Sequence, residues 1–473
     1  MEFESVIGLE VHVQLSTKTK IFCSCSTEFG DSPNTHTCPV CLGMPGVLPV
    51  LNKEVVEFAL RFGIAAHSKI SKFSRFARKN YFYPDLPKGY QVSQYELPIV
   101  KGGFIEIDLP EGRKKIGLVR AHMEEDAGKL IHQRDVSFVD FNRAGVPLLE
   151  IVSEPDLRTP EEAGKYLRKI RTLVRYLKIS NGNMEEGSMR CDANVSVREK
   201  AEEKLGTKVE VKNINSFKHV EKALSYEIRR QVALIQNGGQ IVQETRLWDE
   251  KENITRSMRS KEEAYEYRYF PEPDLVPLLI DEKWVERVKT DMPELPDEKE
   301  KRFVKDYGLS PEKASILTES NELADYFENI CESFQGYEQI ANWMLSEFLA
   351  YLNKEGKEIG DVDMKPRQVA ELLKLVDEGT ISGKIAKSVF AEMWETNKSA
   401  GDIVQKKGLV QIKDESKITE IVCRVVEENP DVVDKYKKGR KNVMGFLAGQ
   451  VMKKTGGKAN PQLVNKILLE KLR

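Results

Sequence analysis

Glu150 stands inside the apolar run Leu148, Leu149, Ile151, Val152. A bare carboxylate there is costly unless a cation or hydrogen-bond donors compensate it. Turn residues precede the run (Asn142, Gly145, Pro147), and Pro155-Asp156 closes it. Glu10 has a similar setting between Leu9 and Val11, two residues before His12. Glu10, His12, Glu124 and Glu150 come from three separate strand-like segments. Taken singly, each acid reads as a partner for an arginine; taken together, they read as ligands for a hard cation. Oxygen-rich ligation with few nitrogens favours Mg2+ or Mn2+ over zinc. Glu185, Glu186, Asp192 and Glu210 are candidates for a second metal or for orienting nucleotide phosphates.

The cysteines carry a different chemistry. Cys23-x-Cys25 is followed after twelve residues by Cys38-Pro-Val-Cys41. Two close pairs of thiolates satisfy tetrahedral zinc with no open position, which makes the site structural. His36 lies outside the paired spacing. Neither GxxxxGK[ST] nor GxGxxG occurs, so any nucleotide phosphates must be held by metals and side chains. Lys79 and Lys88 are the candidate cations for them, in a segment (77–91) that also mixes aromatics and turn residues. There is no GxSxG elbow, and Cys191, Cys331 and Cys423 lack a neighbouring histidine pattern, so a partner must supply any hydrolytic step.

These side chains need elements to place them. Alternation over residues 6–15 puts Glu10, His12 and Gln14 on one face and Leu9, Val11 and Val13 on the other. By the same rule Arg120, His122 and Glu124 share a face, as do Asp192, Asn194, Ser196 and Arg198, and Glu210 with Lys212. A solvated sheet face would also be polar. The content here, histidine with lone acids beside Asn or Ser, reads as the floor of a reaction site on an antiparallel sheet.

Beyond about residue 285, helical periodicity takes over. Two prolines in 291–296 mark a linker, the glycines of Gly379-Thr-Ile-Ser-Gly383 suit a helix stop and restart, and Lys406-Lys-Gly408 reads as a hinge. The expected division of the 473 residues is 1–293, 294–405 and 406–473. Residues 435–473 carry eleven Lys or Arg and one acid, a net +10 within an overall −2, so the rest is −12. Composition alone favours a solvated lysine-rich helix surface; the uneven distribution suits a grip on a polyanion. Lys453, Lys454 and Lys458, around Gly456-Gly457, favour sequence-independent phosphate contact on folded RNA. No apolar stretch approaches the roughly 20 residues that span a bilayer, and no leader pattern precedes the first strand. A reducing cytoplasm is the expected setting.

The whole chain resembles the GatB family, the B subunits of the tRNA-dependent amidotransferases. The resemblance is carried by 140–156, Gly8-Leu-Glu-Val-His-Val-Gln-Leu15, the four cysteines, Tyr81-Phe-Tyr-Pro-Asp-Leu-Pro-Lys-Gly-Tyr-Gln91, the segment 183–197 and the glycine-lysine tail motif. It implies an α+β fold whose sheet is a catalytic cradle of the glutamine synthetase/guanido kinase type, then an all-helical domain and a small helical tail domain. It implies ATP-dependent phosphorylation of the side-chain carboxylate of Glu-tRNA(Gln) or Asp-tRNA(Asn). Amidation follows, with ammonia from a separate amidase subunit; a third, small subunit ties the other two together in a heterotrimer. By motif, Glu10, His12, Glu124 and Glu150 would hold Mg2+; Glu185, Glu186, Asp192 and Glu210 would serve a second metal, the nucleotide or the ammonia path. A zinc- and RNA-binding translation factor would account for the cysteines and the tail, but not for acids set in apolar strands. The archaeal-type subunit that acts only on Glu-tRNA(Gln) carries an extra inserted domain, for which this chain has no room.

Overall fold

The computed structural model describes residues 2–200, 202–260, 264–410, 415–437, 443–456, 458–459 and 461–472. It divides into two compact units, Met1–Pro296 and Asp297–Arg473. The first is built on a ten-stranded sheet. Its strands run in the order Ile254–Ser260, Glu244–Asp249, Val209–Ile214, Met189–Glu199, Phe3–Gln14, Pro147–Ser153, Gly112–Glu125, Val100–Lys101, Lys69–Ile70, with Phe104–Leu109 as a hairpin on Gly112–Glu125.

One pairing departs from the antiparallel expectation. Val209–Ile214 runs parallel to Glu244–Asp249, because the helix Phe217–Gln236 crosses over between them and returns the chain in the same direction. The sheet is therefore mixed, and the unit is α+β.

Period-2 patterning sets the two faces of this sheet. Leu9, Val11, Val13, Met123, Leu149, Ile151, Ala193 and Val211 are buried in one apolar cluster with residues of the helices Lys53–Ala65, Pro160–Tyr176 and Phe217–Gln236. Each helix starts on a side-chain cap: Asn52 accepts from Glu54 N, Thr159 from Glu162 N, and Ser216 from His219 N. Such caps satisfy backbone donors that have no partner inside the helix. With the helices on one face, the opposite face carries the polar side chains.

Among its described residues the second unit is helical, opening within the helix Pro296–Tyr307. The expected linker is the non-helical stretch between Glu282–Thr290 and Pro296–Tyr307. Its main core gathers Phe303, Phe327, Phe348 and Phe390. The predicted helix over 341–352 contains a π-helical turn at Met344–Phe348. A separate cluster of Ile418, Val422, Leu447, Val451 and Leu468 forms beyond Gly408, whose φ is +56°. Among the described residues, no helix is long and apolar enough to cross a membrane.

Candidate active site

Strand register brings the chemistry together. His12 lies opposite Glu150, and Glu150 opposite His122, so three neighbouring strands present these side chains in one row. Glu124 is one rung further, across from Leu148. One ligand atom each from His12, Glu124 and Glu150 lie within 4.8 Å of one another. His12 Nε2 is 3.5 Å from Glu150 and 3.7 Å from Glu124. His122 Nε2 is 3.4 Å from Glu150 and 3.9 Å from Glu124.

Local chemistry fixes the central strand, Pro147–Ser153. Gly145 adopts φ +84° in the turn before it, and Pro147 opens it where no ladder donor is required. At the far end, Asp156 accepts from Gly117 N at 2.8 Å. A Cβ at Gly117 would meet Glu154 Cγ at 2.9 Å, so glycine permits this approach. Ser153, at a register shift, accepts from Leu9 N at 2.9 Å.

The electrostatics of the group are opposed. Burial works against a charge on Glu150, yet the His122 charge and hydrogen bonds from both histidines outweigh it and hold the carboxyl well below its usual range. Glu124 is pushed up, first by burial and then by the charge on Glu150. Burial also opposes charge on His12, but Glu150 and Glu124 together lift it to about 9. The two acids face both His12 and His122; a divalent ion held by His12, Glu124 and Glu150 would replace the proton on His12.

Glu10 lies outside this group. It is on the expected face but one rung away, opposite Asp192, and its Oε1 accepts from Asn194 at 2.9 Å. Three of the four expected ligands come together, and Glu10 stands apart from them. Asp192 and Glu210 flank Lys212, which hydrogen-bonds Asp192 and sits 3.5 Å from Glu210. A second metal there would have to displace that ammonium. Glu185 and Glu186 are exposed in a turn tied to Asn183 Oδ1.

Lys79 is within electrostatic reach of Glu124, whose carboxyl its charge lowers, and its Nζ lies 4.8 Å from the Tyr267 ring centre. Tyr81 follows it, its hydroxyl pushed up by burial and by Glu124. Lys88 instead pairs with Glu125, which alternation turns away from Glu124. That ion pair lines a cavity of about 190 Å3 with Lys20, Phe22, Cys23 and Cys41. The expectation that Lys88 holds phosphates therefore meets a lysine already committed to a buried carboxylate.

The four cysteine sulfurs lie within 4.8 Å of one another, with Cys38 and Cys41 3.9 Å apart. Thiolates tetrahedral around zinc at about 2.3 Å stand about 3.8 Å apart, so the donor set fits such an ion. Cys41 is drawn down to about 5 by a hydrogen bond from Cys23, against its burial, with help from the Lys20 charge. Burial pushes Cys25 up to about 11. Lys20, fully buried, donates to the carbonyls of His36 and Phe141. His36 turns its ring to Asp31 at 2.9 Å. Cys191 and Cys331 are buried thiols shifted upward by burial.

The sequence reading put His122 on the reaction floor without naming it as a site residue, and did not single out Asp126 or Arg190. Asp126 is buried and accepts from Gln14 and Arg190, both at 2.9 Å. The run Glu124-Glu125-Asp126 held a signal: alternation cannot send three successive acids to the same exposed face. In the tail, Lys453 and Lys454 are exposed, Lys454 pairs with Glu428, and Lys458 is half-buried. Gly457 and four of the tail's cations (Lys438, Arg440, Lys441, Arg473) lie outside the described residues.

Residues 5–286 match the family model of the GatB/GatE catalytic domain, and residues 325–472 match that of the GatB domain. Among curated proteins, the chain is 55% identical to the B subunit of the aspartyl/glutamyl-tRNA(Asn/Gln) amidotransferase of Carboxydothermus hydrogenoformans, covering 100% of this chain and 99% of that one. It is 56% identical to the B subunits of the same enzyme from Thermodesulfovibrio yellowstonii and Geotalea daltonii, with both chains covered in full. The chain belongs to the GatB family.

Proposed function

We propose that this chain is the activating and amidating subunit of a tRNA-dependent amidotransferase, producing Gln-tRNA(Gln) and Asn-tRNA(Asn) from Glu-tRNA(Gln) and Asp-tRNA(Asn). The observation that carries this reading is the convergence of His12, Glu124 and Glu150, in a chain similar end to end to amidotransferase B subunits.

Ammonia and a carboxylate form only a salt, so amide formation needs an activated acyl group. A side-chain carboxylate oxygen of the misacylated residue bonds to the γ-phosphorus of ATP, and the bond to the β–γ bridging oxygen breaks, releasing ADP. Ammonia then attacks the acyl carbon; phosphate leaves with the bonding pair, and one proton passes from nitrogen to phosphate. Phosphoryl transfer is mostly positioning plus neutralisation of charge. His12, Glu124 and Glu150 would hold Mg2+, which when bound neutralises charge on the phosphates. Lys79, with no carboxylate partner among the described residues, steers the triphosphate. Asp192 and Glu210 keep Lys212 on the floor, and Glu185 and Glu186 edge it. The four cysteines hold a structural zinc.

The sheet unit serves as a cradle of the glutamine synthetase/guanido kinase type, and the basic tail, through Lys453, Lys454 and Lys458, grips the tRNA body. A separate amidase subunit supplies ammonia and a small third chain completes the heterotrimer, in the cytoplasm. The test is ATP turnover by the assembled complex with free ammonium as nitrogen donor, comparing Glu-tRNA(Gln) with uncharged tRNA. Turnover that needs the charged tRNA and Mg2+, with Gln-tRNA(Gln) as product, is the expected result. A complex that binds tRNA but never consumes ATP would return the chain to the binding-factor reading.

A further inference from the structure

Arg190 lies opposite His12 in the strand register and so extends the row His122, Glu150, His12 by one strand. Its side chain is 34% exposed. One arm is tied: Nη2 donates to Asp126 Oδ2 at 2.9 Å. The anchor is itself built. Asp126 is 5% exposed, its Oδ2 also accepts from Gln14 at 2.9 Å, and Arg143 Nε stands 3.6 Å away. Arg143 in turn is fixed on the carbonyls of Ala127 and Gly128.

The rest of the Arg190 fork is open. Among the described residues, its Nε and Nη1 meet no acceptor. Other cations on this face differ. Lys212 is committed to Asp192 and Glu210, and Arg198 to Glu4 and the Glu203 carbonyl. Arg120 gives its Nε to His122 and has no carboxylate anchor among the described residues. A guanidinium carries five donors in a planar fork that matches phosphate oxygens, and it stays charged at every physiological pH. Holding one arm on a buried carboxylate removes the rotamer freedom that free arginine would lose on binding.

We propose that Arg190 is a catalytic residue that grips the transferred γ-phosphoryl group of ATP through its open N–H groups, with Asp126 as its positioning residue. This rests on the phosphoryl-transfer reading above. As the new P–O bond forms and the bond to the bridging oxygen breaks, the electron pair departs with ADP and charge spreads over the three equatorial oxygens. Arg190 donates to those oxygens from the side of the floor next to His12. A merely structural Arg190–Asp126 pair would tie together the ends of two strands that have two others between them in the sheet, and matter only to stability.

The experiment uses the assembled complex with Mg2+, charged tRNA and ammonium, and compares Arg190→Gln and Arg190→Lys with the unaltered protein. Three quantities are read: turnover, the ratio of affinities for a non-hydrolysable ATP analogue and ADP, and the melting temperature. Loss of about a thousandfold in turnover is expected for Arg190→Gln, the low end of what phosphoryl-gripping arginines supply. The analogue-over-ADP preference collapses with it. Arg190→Lys keeps the Asp126 pair and therefore the fold, but recovers little turnover, because an ammonium lacks the fork. Full activity of Arg190→Lys, or an unchanged affinity ratio in Arg190→Gln, would overturn the grip. An unaltered complex that never consumes ATP sinks the underlying reading. Turnover by the unaltered complex beside an equally active Arg190→Gln sinks the arginine's role alone.

Discussion

The two units treat charge in opposite ways. Among the described residues, the sheet unit buries Lys20, His122, Glu124, Glu125, Asp126, Glu162, Glu210, Glu227 and Glu272, whereas Lys299 is the only charged side chain buried in the helical unit. The helical unit packs aromatics instead and keeps its ion pairs outside, as in Lys313–Glu338, Lys407–Glu392 and Lys454–Glu428. Burying a charge costs several kcal/mol before any partner offsets it, so nine such groups in one unit call for a reason. Some are structural: Glu227 holds Arg230, Gln231 and Thr255, and Glu272 holds Arg78. Others belong to the candidate site: Glu124 and His122 face the half-buried Glu150. Buried charge thus marks the first unit, while the net positive charge of the second is confined to its tail, 435–473.

The largest effect expected is on the carboxylate row. Glu150→Gln keeps the shape and removes the charge that the two histidines and the cation need. Activity should fall at least about a hundredfold, since even the loss of an outer partner of a metal ligand costs roughly 10–100-fold. Affinity for tRNA should hold, because the contacts proposed for it lie in the other unit. Equal loss of both would erase the contrast. Next comes the sulfur cluster. Cys41→Ser removes one donor of four and should destabilise the sheet unit by about 3 kcal/mol, or roughly 5–10 °C in melting temperature. A chelator should do the same to the unaltered protein and nothing further to the variant. If activity falls at temperatures where the variant remains folded, the zinc is more than structural.

A smaller effect is expected at Asp126. Burial opposes its charge, but Arg190 and Arg143 outweigh that and hold the carboxyl below its ordinary value of 3.8. Its contribution to stability is therefore complete above pH 3.8 and is lost as the pH falls through the lower, folded value. Asp126→Asn should cost about 1–2 kcal/mol at neutral pH, the low end for a buried pair because Arg190 stays partly solvated. The difference in melting temperature between the two proteins should narrow in acid; a constant gap would mean that the pair contributes no charge-dependent stability.

What could be read in advance follows from how far each feature reaches along the chain. The cysteines lie within nineteen residues of one another, and their spacing alone describes the cluster that forms. Strand faces were also legible, since alternation is local: Glu10, His12 and Gln14 do oppose Leu9, Val11 and Val13. Register was not legible. His12 meets Glu150 and Glu124 through pairings that span more than a hundred residues, and no local rule says that Glu10 falls one rung away. The same distance hid Asp126 and Arg190, which look like ordinary surface charges until the strand ends close around them. Lys88 misled for the opposite reason: a lysine in an aromatic loop looks available until Glu125 is seen beneath it.

The weakest effect expected tests the helical unit's half of the contrast. Lys453 and Lys454 end the helix Met444–Lys454, exposed, with Lys454 tied among the described residues only to Glu428 at the surface. A surface pair of this kind contributes little, so changing both lysines to alanine should leave the fold and the ammonium-dependent chemistry at saturating tRNA intact. Affinity for tRNA should drop several-fold, and the slope of log affinity against log salt should flatten by about 2, one phosphate contact for each lysine. The salt slope is the sharper reading, because lost packing would lower affinity at every salt concentration alike. An unchanged slope would mean that the phosphates are met elsewhere. The basic tail would then be a solvated helix surface, and the division between a unit for chemistry and a unit for the polyanion would have to be redrawn.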